Sequence, residues 1–195
     1  MGGIPPTVTP MALNATIYKV ELQISDMDRH YYATHALTLA RHPSETEERL
    51  MVRLLAFALY AEDRLEFGKG VSDEDEPALW RKDYSDEIEL WIELGQPDEA
   101  RIRKACGRAR QVVVINYGGH TAELWWSKVG ASLARHKNLT VRDIPTATVA
   151  ELLPLLQRGM RLQGLIQDGQ LQLMNELESV TIDPTQRMGV AETVS

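Results

Sequence analysis

The stretch DEIELWIELGQPDEARIRKACGRARQVVVINY, Asp86–Tyr117, decides the fold. Ile88, Leu90, Ile92 and Leu94 alternate with Glu89, Trp91 and Glu93, the period of two with which a strand sends successive side chains to opposite faces. Pro97 then opens a helix, its fixed φ suiting the first turn, and Asp98 and Glu99 set negative charge against the positive end of the helix dipole. Ile102, Ala105, Cys106 and Ala109 recur at i, i+3, i+4 and i+7 and form one apolar stripe. Val112–Tyr117 is an unbroken, largely β-branched run, as a strand covered on both faces requires. Strand, helix and strand in this order make a βαβ crossover with two parallel strands, right-handed by the general rule. Glu93 breaks the pattern. It is a carboxylate one residue from the end of a strand about to be covered, where an uncompensated charge is costly.

Outward from this unit, Ala78–Lys82 and Glu87–Leu94 form a hairpin across the turn DYSD, Asp83–Asp86. Before it, Thr16–Ser25 and His30–Leu39 read as two antiparallel strands. Ser44–Glu47 (SETE) reads as a capping box, and Leu50, Met51, Leu54, Leu55 and Ala58 carry a helix to about Glu62. Gly68 and Gly70 bracket a loop that runs into the acidic VSDEDEP. After the crossover, Ala122–His136 reads as a helix with Leu124, Trp125, Val129 and Leu133 inward, and Leu139–Asp143 as a short strand. Ala147–Gln157 is a helix bent or ended near Pro154, and Asp168-Gly169 turns a hairpin between MRLQGLIQ and QLQLMN. The expected organisation is an α+β fold, a mixed β-sheet flanked by helices in one domain over residues 11–183. Residues 1–10 read as a disordered extension and 184–195 as a disordered tail.

Composition bounds the function. The 195 residues, 44% hydrophobic and 25% charged, suit one soluble globular domain. No apolar run reaches the roughly 18 residues of a spanning helix, and MGGIPPTVTP lacks the marks of a signal peptide, so a cytoplasmic location without a membrane partner is expected. The single cysteine, Cys106, excludes an intramolecular disulfide and reads as a small buried hydrophobe. A net charge of −7 argues against a surface devoted to nucleic acid. It leaves room for a local patch, and Arg101, Arg103, Lys104, Arg108 and Arg110 share one helix. As a set they read as a solvated face.

Three acids are candidates for a site. Glu47 caps its helix in the capping-box reading, yet it also shares the side of Leu50, Met51 and Leu54 that faces the core. Glu93 is either on a wet face with Glu89 or covered and functional. Glu76 falls opposite Glu93 if Asp83–Asp86 is the four-residue turn; a slip of one or two residues replaces it with Pro77 or Ala78. Carboxylates that meet on one face repel unless a cation lies between them, and a hard ion such as Mg²⁺ takes oxygen ligands. Such an ion polarises a phosphoryl oxygen. His42 and His120 lack a nucleophile at any recognisable spacing and read as loop residues, and Gly118-Gly119 after a strand is a weak ligand signal.

Two stretches, ARHPSETEERLMVRLLAFALYAEDRLEFGKGVSDEDEPALW (Ala40–Trp80) and LWIELGQPDEARIRKAC (Leu90–Cys106), closely resemble the YaeQ family, and the similarity runs from about Met11 to the final strands. The resemblance implies a variant of the PD-(D/E)XK nuclease fold, with N-terminal strands and a C-terminal β-hairpin added to the core. That superfamily implies a helix acid, here Glu47, a second-strand acid, and an acid-x-lysine on the third strand, whose acid is here Glu93. The acid implied after Pro77 is Ala78, so that Glu76 or Asp83 would substitute, and the lysine implied two residues after Glu93 is Gly95. The implied basic group then falls to the next helix, as Arg101 or Lys104. A helical wheel sets Arg101 about 90° from the apolar stripe and Lys104 about 150°, which favours Arg101.

Two functional expectations follow. One is a Mg²⁺-dependent, or Mn²⁺-dependent, nuclease with Glu76 and Glu93 on the metal and nucleic acid as substrate. The other is a binding or regulatory module that keeps the fold without hydrolysis, which Ala78, Gly95 and the acidic net charge favour. Both put Glu93 in a buried cleft, and the enzyme also needs the charged end of Arg101 or Lys104 within about 6 Å of it.

Overall fold

The computed structural model describes residues 14–69 and 73–189. In chain order these form β1 (Thr16–Asp26), β2 (Tyr31–Arg41), α1 (Glu47–Leu59), β3 (Leu65–Phe67), β4 (Leu79–Lys82), β5 (Ile88–Leu94), α2 (Glu99–Arg108) and β6 (Ala109–Asn116). They continue as α3 (His120–Leu133), β7 (Leu139–Asp143), α4 (Thr146–Leu152) with a 3-10 turn Leu153–Leu155, β8 (Gly159–Gln167), β9 (Gln170–Met174), β10 (Ser179–Ile182) and β11 (Thr185–Met188). The chain is α+β, and its strands make two mixed sheets rather than the single sheet read from the sequence. One has the order β10-β9-β8-β1-β2 and the other β11-β7-β6-β5-β4-β3. The division turns on β1, which pairs antiparallel with β2 and parallel with β8. That second partner lies far along the chain and leaves no local mark.

α1 is the element between the sheets. Leu50 to Ala58 are all buried, as a helix covered all round must be. One core joins it to Val20, Leu22 and Ile24 of the first sheet and to Leu90, Ile92 and Val113 of the second. The second sheet's other face carries Trp91, Val112 and Val114 under Ile102 and Ala105 of α2 and Val129 and Leu133 of α3. β5 and β6 are the parallel pair of the crossover and are covered on both faces.

Several boundaries differ from the sequence reading, each for a physical reason. Leu124 is exposed, because α3 turns Ala122, Val129 and Leu133 inward instead. The tail does not leave the fold at Pro184: Thr185–Met188 pairs with β7 and closes that edge. Arg187, reaching Asp143 and Glu123, holds it there. Residues 1–10 and those after 189 lie outside the described residues. The Asp168-Gly169 turn is as expected, with φ of 52° and 77° at its two positions.

Candidate functional site

The site lies at the C-terminal end of β5, where α2 begins. The alternation that buries Leu90 and Ile92 on one face sends Trp91 and Glu93 to the other, beneath α2. Glu93 is only 5% exposed, and its Oε1 accepts from Trp91 Nε1 at 2.7 Å and from Arg101 Nε at 2.8 Å. Burial pushes its carboxyl pKa up; the Trp91 hydrogen bond and the charges of Arg101 and Arg49 oppose this without cancelling it. Arg101 is placed by its helix start: Asp98 is the N-cap and its side chain accepts the Arg101 backbone N–H at 2.7 Å. Its other nitrogens donate to the carbonyls of Glu74 at 2.7 Å and Glu76 at 2.8 Å. One arginine therefore ties the strand, the helix and the acidic loop together. Lys104 meets Asp75 in that loop at 2.5 Å, in an exposed pair.

The opposite wall comes from α1. Its N-cap is Thr46, whose hydroxyl accepts from Arg49 N–H at 3.1 Å, so the capping box over Ser44–Glu47 does not form. Ser44 turns instead to His42 Nδ1, and Glu47 points to solvent in the helix's first turn. Glu47 is therefore not in the cleft. The acid that faces inward is Glu45, 4% exposed, paired with Arg49 at 2.8 Å and with Arg53 at 2.9 Å. Glu45, Arg49 and Arg53 were not among the sequence candidates, although their spacing of four carried a signal: Arg49 and Arg53 share one side of α1, and Glu45, just before the N-cap, pairs with both.

A cleft of about 260 Å³ is lined by Arg49, Glu76, Ala78, Glu93, Gln96 and Arg101 among others. Glu76 lies beside Glu93 but not across from it. β4 pairs Leu79 with Ile92 and Trp80 with Trp91, so that one further step sets Ala78 opposite Glu93. The slip of two residues has two parts: Asp83 closes on Glu87 around the turn, with Asp86 at φ of 63°, which moves the pairing by one, and a register shift between Arg81 and Lys82 moves it by one more. The Glu76 carboxylate turns to Lys69, accepting its backbone N–H at 2.9 Å and lying 3.2 Å from its Nζ. Gly95, where the superfamily pattern implies lysine, has φ of 81°, a conformation that strains any side chain. Asp83 is at the far end of the hairpin with Arg110, and His120 opens α3 on the surface.

These donors do not fit Mg²⁺. Glu93 is held by an indole and a guanidinium, Glu76 by a lysine, and Ala78 supplies no oxygen. Among the described residues no three His, Cys, Asp or Glu side chains come together as a metal site. Cys106 is half-buried and its thiol is pushed up to about 11 by burial, which makes it a poor nucleophile or ligand.

The fold defines an α+β protein of two mixed sheets with a buried carboxylate–arginine cleft between a crossover and a central helix. The chain belongs to the YaeQ family, whose model (YaeQ protein) matches residues 11–184. The uncharacterised protein YaeQ of Salmonella typhi is 45% identical over 175 residues, 90% of this chain and 97% of that one. The uncharacterised protein YaeQ of Escherichia coli (strain K12) is 42% identical over the same shares. The crystal structure of YaeQ protein from Xanthomonas axonopodis pv. citri has TM-score 0.87 and 57% identity, covering 90% of this chain and 99% of that one. The crystal structure of YaeQ protein from Pseudomonas syringae has TM-score 0.86 and 35% identity, with shares of 90% and 97%. No described helix is long and apolar enough to cross a membrane.

Proposed function

We propose that this chain is a non-hydrolytic module that binds a nucleic-acid phosphate at the α1–α2 cleft, built on a nuclease-like core. The run α1, the meander β3-β4-β5, α2 and the parallel strand β6 follows the PD-(D/E)XK order and supports the resemblance in fold. Fold alone does not assign chemistry. The observation that carries the reading is the pairing of Glu93: Trp91 and Arg101 both donate to its Oε1 and Ala78 stands opposite, so no acid faces it across the strand pair to share a divalent ion. Arg49 is the group that would meet a phosphate. Its side chain is 22% exposed at the cleft, and of its guanidinium nitrogens only Nη1 has a partner among the described residues.

Fluorescence anisotropy with single- and double-stranded oligonucleotides in EDTA, alongside a cleavage assay in Mg²⁺ and Mn²⁺, tests the reading. Salt-sensitive binding without cleavage is expected, weakened about tenfold by Arg49→Gln, the share of one charge-assisted hydrogen bond. Failure to bind either strand type overturns it. So does metal-dependent cleavage that Glu93→Gln abolishes. That outcome would establish the second reading, a Mg²⁺- or Mn²⁺-dependent nuclease using Glu76 and Glu93, favoured by their sharing one cleft.

A further inference from the structure

The two sheets have four outer strands, and three of them are protected. β10 and β11 have four residues each and β3 has three, and β11 also carries a register shift against β7. Short and irregular edges do not template another strand. β2 differs. It has eleven residues, pairs with β1 without a shift from Tyr31 to Arg41, and has no strand on its other side among the described residues. Its sequence YYATHALTLAR holds no proline, glycine, lysine or acid, so the usual devices that blunt an edge are missing. Tyr32, Thr34, Ala36, Thr38 and Ala40 are exposed on the outer face, and Tyr31, Ala33, His35 and Leu37 are only half-buried on the inner one.

We infer that β2 pairs with β2 of a second copy of this chain, antiparallel about a two-fold axis at Ala36, joining two five-stranded sheets into one. This register pairs all eleven residues. Ala36 meets Ala36 of the partner subunit, Thr34 meets Thr38 of the partner subunit, and Tyr32 meets Ala40 of the partner subunit on the outer face. On the inner face His35 meets Leu37 of the partner subunit, and the half-buried side chains are covered. No like charges oppose one another, since Arg41 falls against Tyr31 of the partner subunit. An isologous interface needs this self-complementarity. The strip itself holds no acid, so the net charge of −7 on each chain sets no carboxylate against another along the paired strands.

Sedimentation velocity from micromolar to millimolar concentration at physiological salt tests the inference. The wild-type chain reaches twice the monomer mass as concentration rises. Ala36→Lys sets two lysines across the axis and weakens the dimer at least about tenfold. Its circular dichroism stays unchanged, because Ala36 is exposed. An equal mixture of Ala36→Lys and Ala36→Glu restores the dimer by opposite charge. A wild-type chain that stays monomeric throughout overturns the inference, as does a dimer that Ala36→Lys leaves intact.

Discussion

Arg101 donates its Nε–H to Glu93 Oε1 across 2.8 Å, joining the crossover helix to the strand that precedes it. The same guanidinium holds the carbonyls of Glu74 and Glu76, so strand end, helix start and acidic loop share one cation. Such a group fixes the cleft's shape, and Arg49 is the cation that the proposed reading assigns to a phosphate.

Arg101→Gln leaves Glu93 buried without its counter-charge, and the expected loss is about 3 kcal/mol of unfolding free energy at neutral pH. Adding Glu93→Gln removes the stranded charge and recovers much of it. Urea denaturation of both singles and the double closes the cycle. An additive double mutant would show that the pair does not interact.

The same pair sets a pH dependence. Burial holds the Glu93 pKa above its ordinary value, so the folded state binds the proton more tightly than the unfolded one. Its contribution to stability is then present in full below the unfolded pKa and is lost as pH rises through the folded one. Arg101→Gln raises that pKa further, which widens the window. The stability gap between Arg101→Gln and wild type therefore narrows on acidification from neutral pH, as denaturation across a pH series would read.

Glu45 and Glu47 separate structure from surface within one turn. Glu45→Ala strands Arg53, whose side chain is 3% exposed, and should cost about 4 kcal/mol. Glu47→Ala, on the exposed first turn, should cost under about 0.5 kcal/mol. Thermal unfolding of the two variants compares them directly, and equal losses would reject the assignment of Glu45 as the inward acid.

The crossover was legible because every local signal agreed: the alternation in Ile88–Leu94, the acids after Pro97 and the β-branched run before Tyr117. The start of α1 was not, because Ser44 and Thr46 are both capping residues and the pattern S-x-x-E favours the first. His42 captures the Ser44 side chain, Thr46 caps, and Glu45 rather than Glu47 is turned inward. The Glu76 position depended on the turn length and on a register shift between Arg81 and Lys82, neither of which local sequence specifies, and the slip of two residues put Ala78 in its place. The sheet of β10, β9, β8, β1 and β2 rests on β1 pairing with β8, a contact between distant residues without local imprint.

Ala78 supplies the last and sharpest prediction. It is 3% exposed and lies one step beyond the Leu79–Ile92 pair, against Glu93. Ala78→Asp would set two carboxylates side by side at the mouth of the cleft, one of them already held above its ordinary pKa by burial. Like charges directly opposite on a strand pair repel, and a buried group without a partner costs about 1–3 kcal/mol. The variant is therefore less stable than wild type in EDTA. A divalent ion that bridges the new pair binds the folded state alone and restores stability as its concentration rises. Wild type, with Glu93 held by Trp91 and Arg101 and Glu76 by Lys69, gains nothing from the same titration. Melting curves in EDTA and in increasing Mg²⁺ or Mn²⁺ read both. If wild type is stabilised by the metal as strongly as Ala78→Asp, the cleft already holds a cation site, and the non-hydrolytic reading gives way to the enzymatic one.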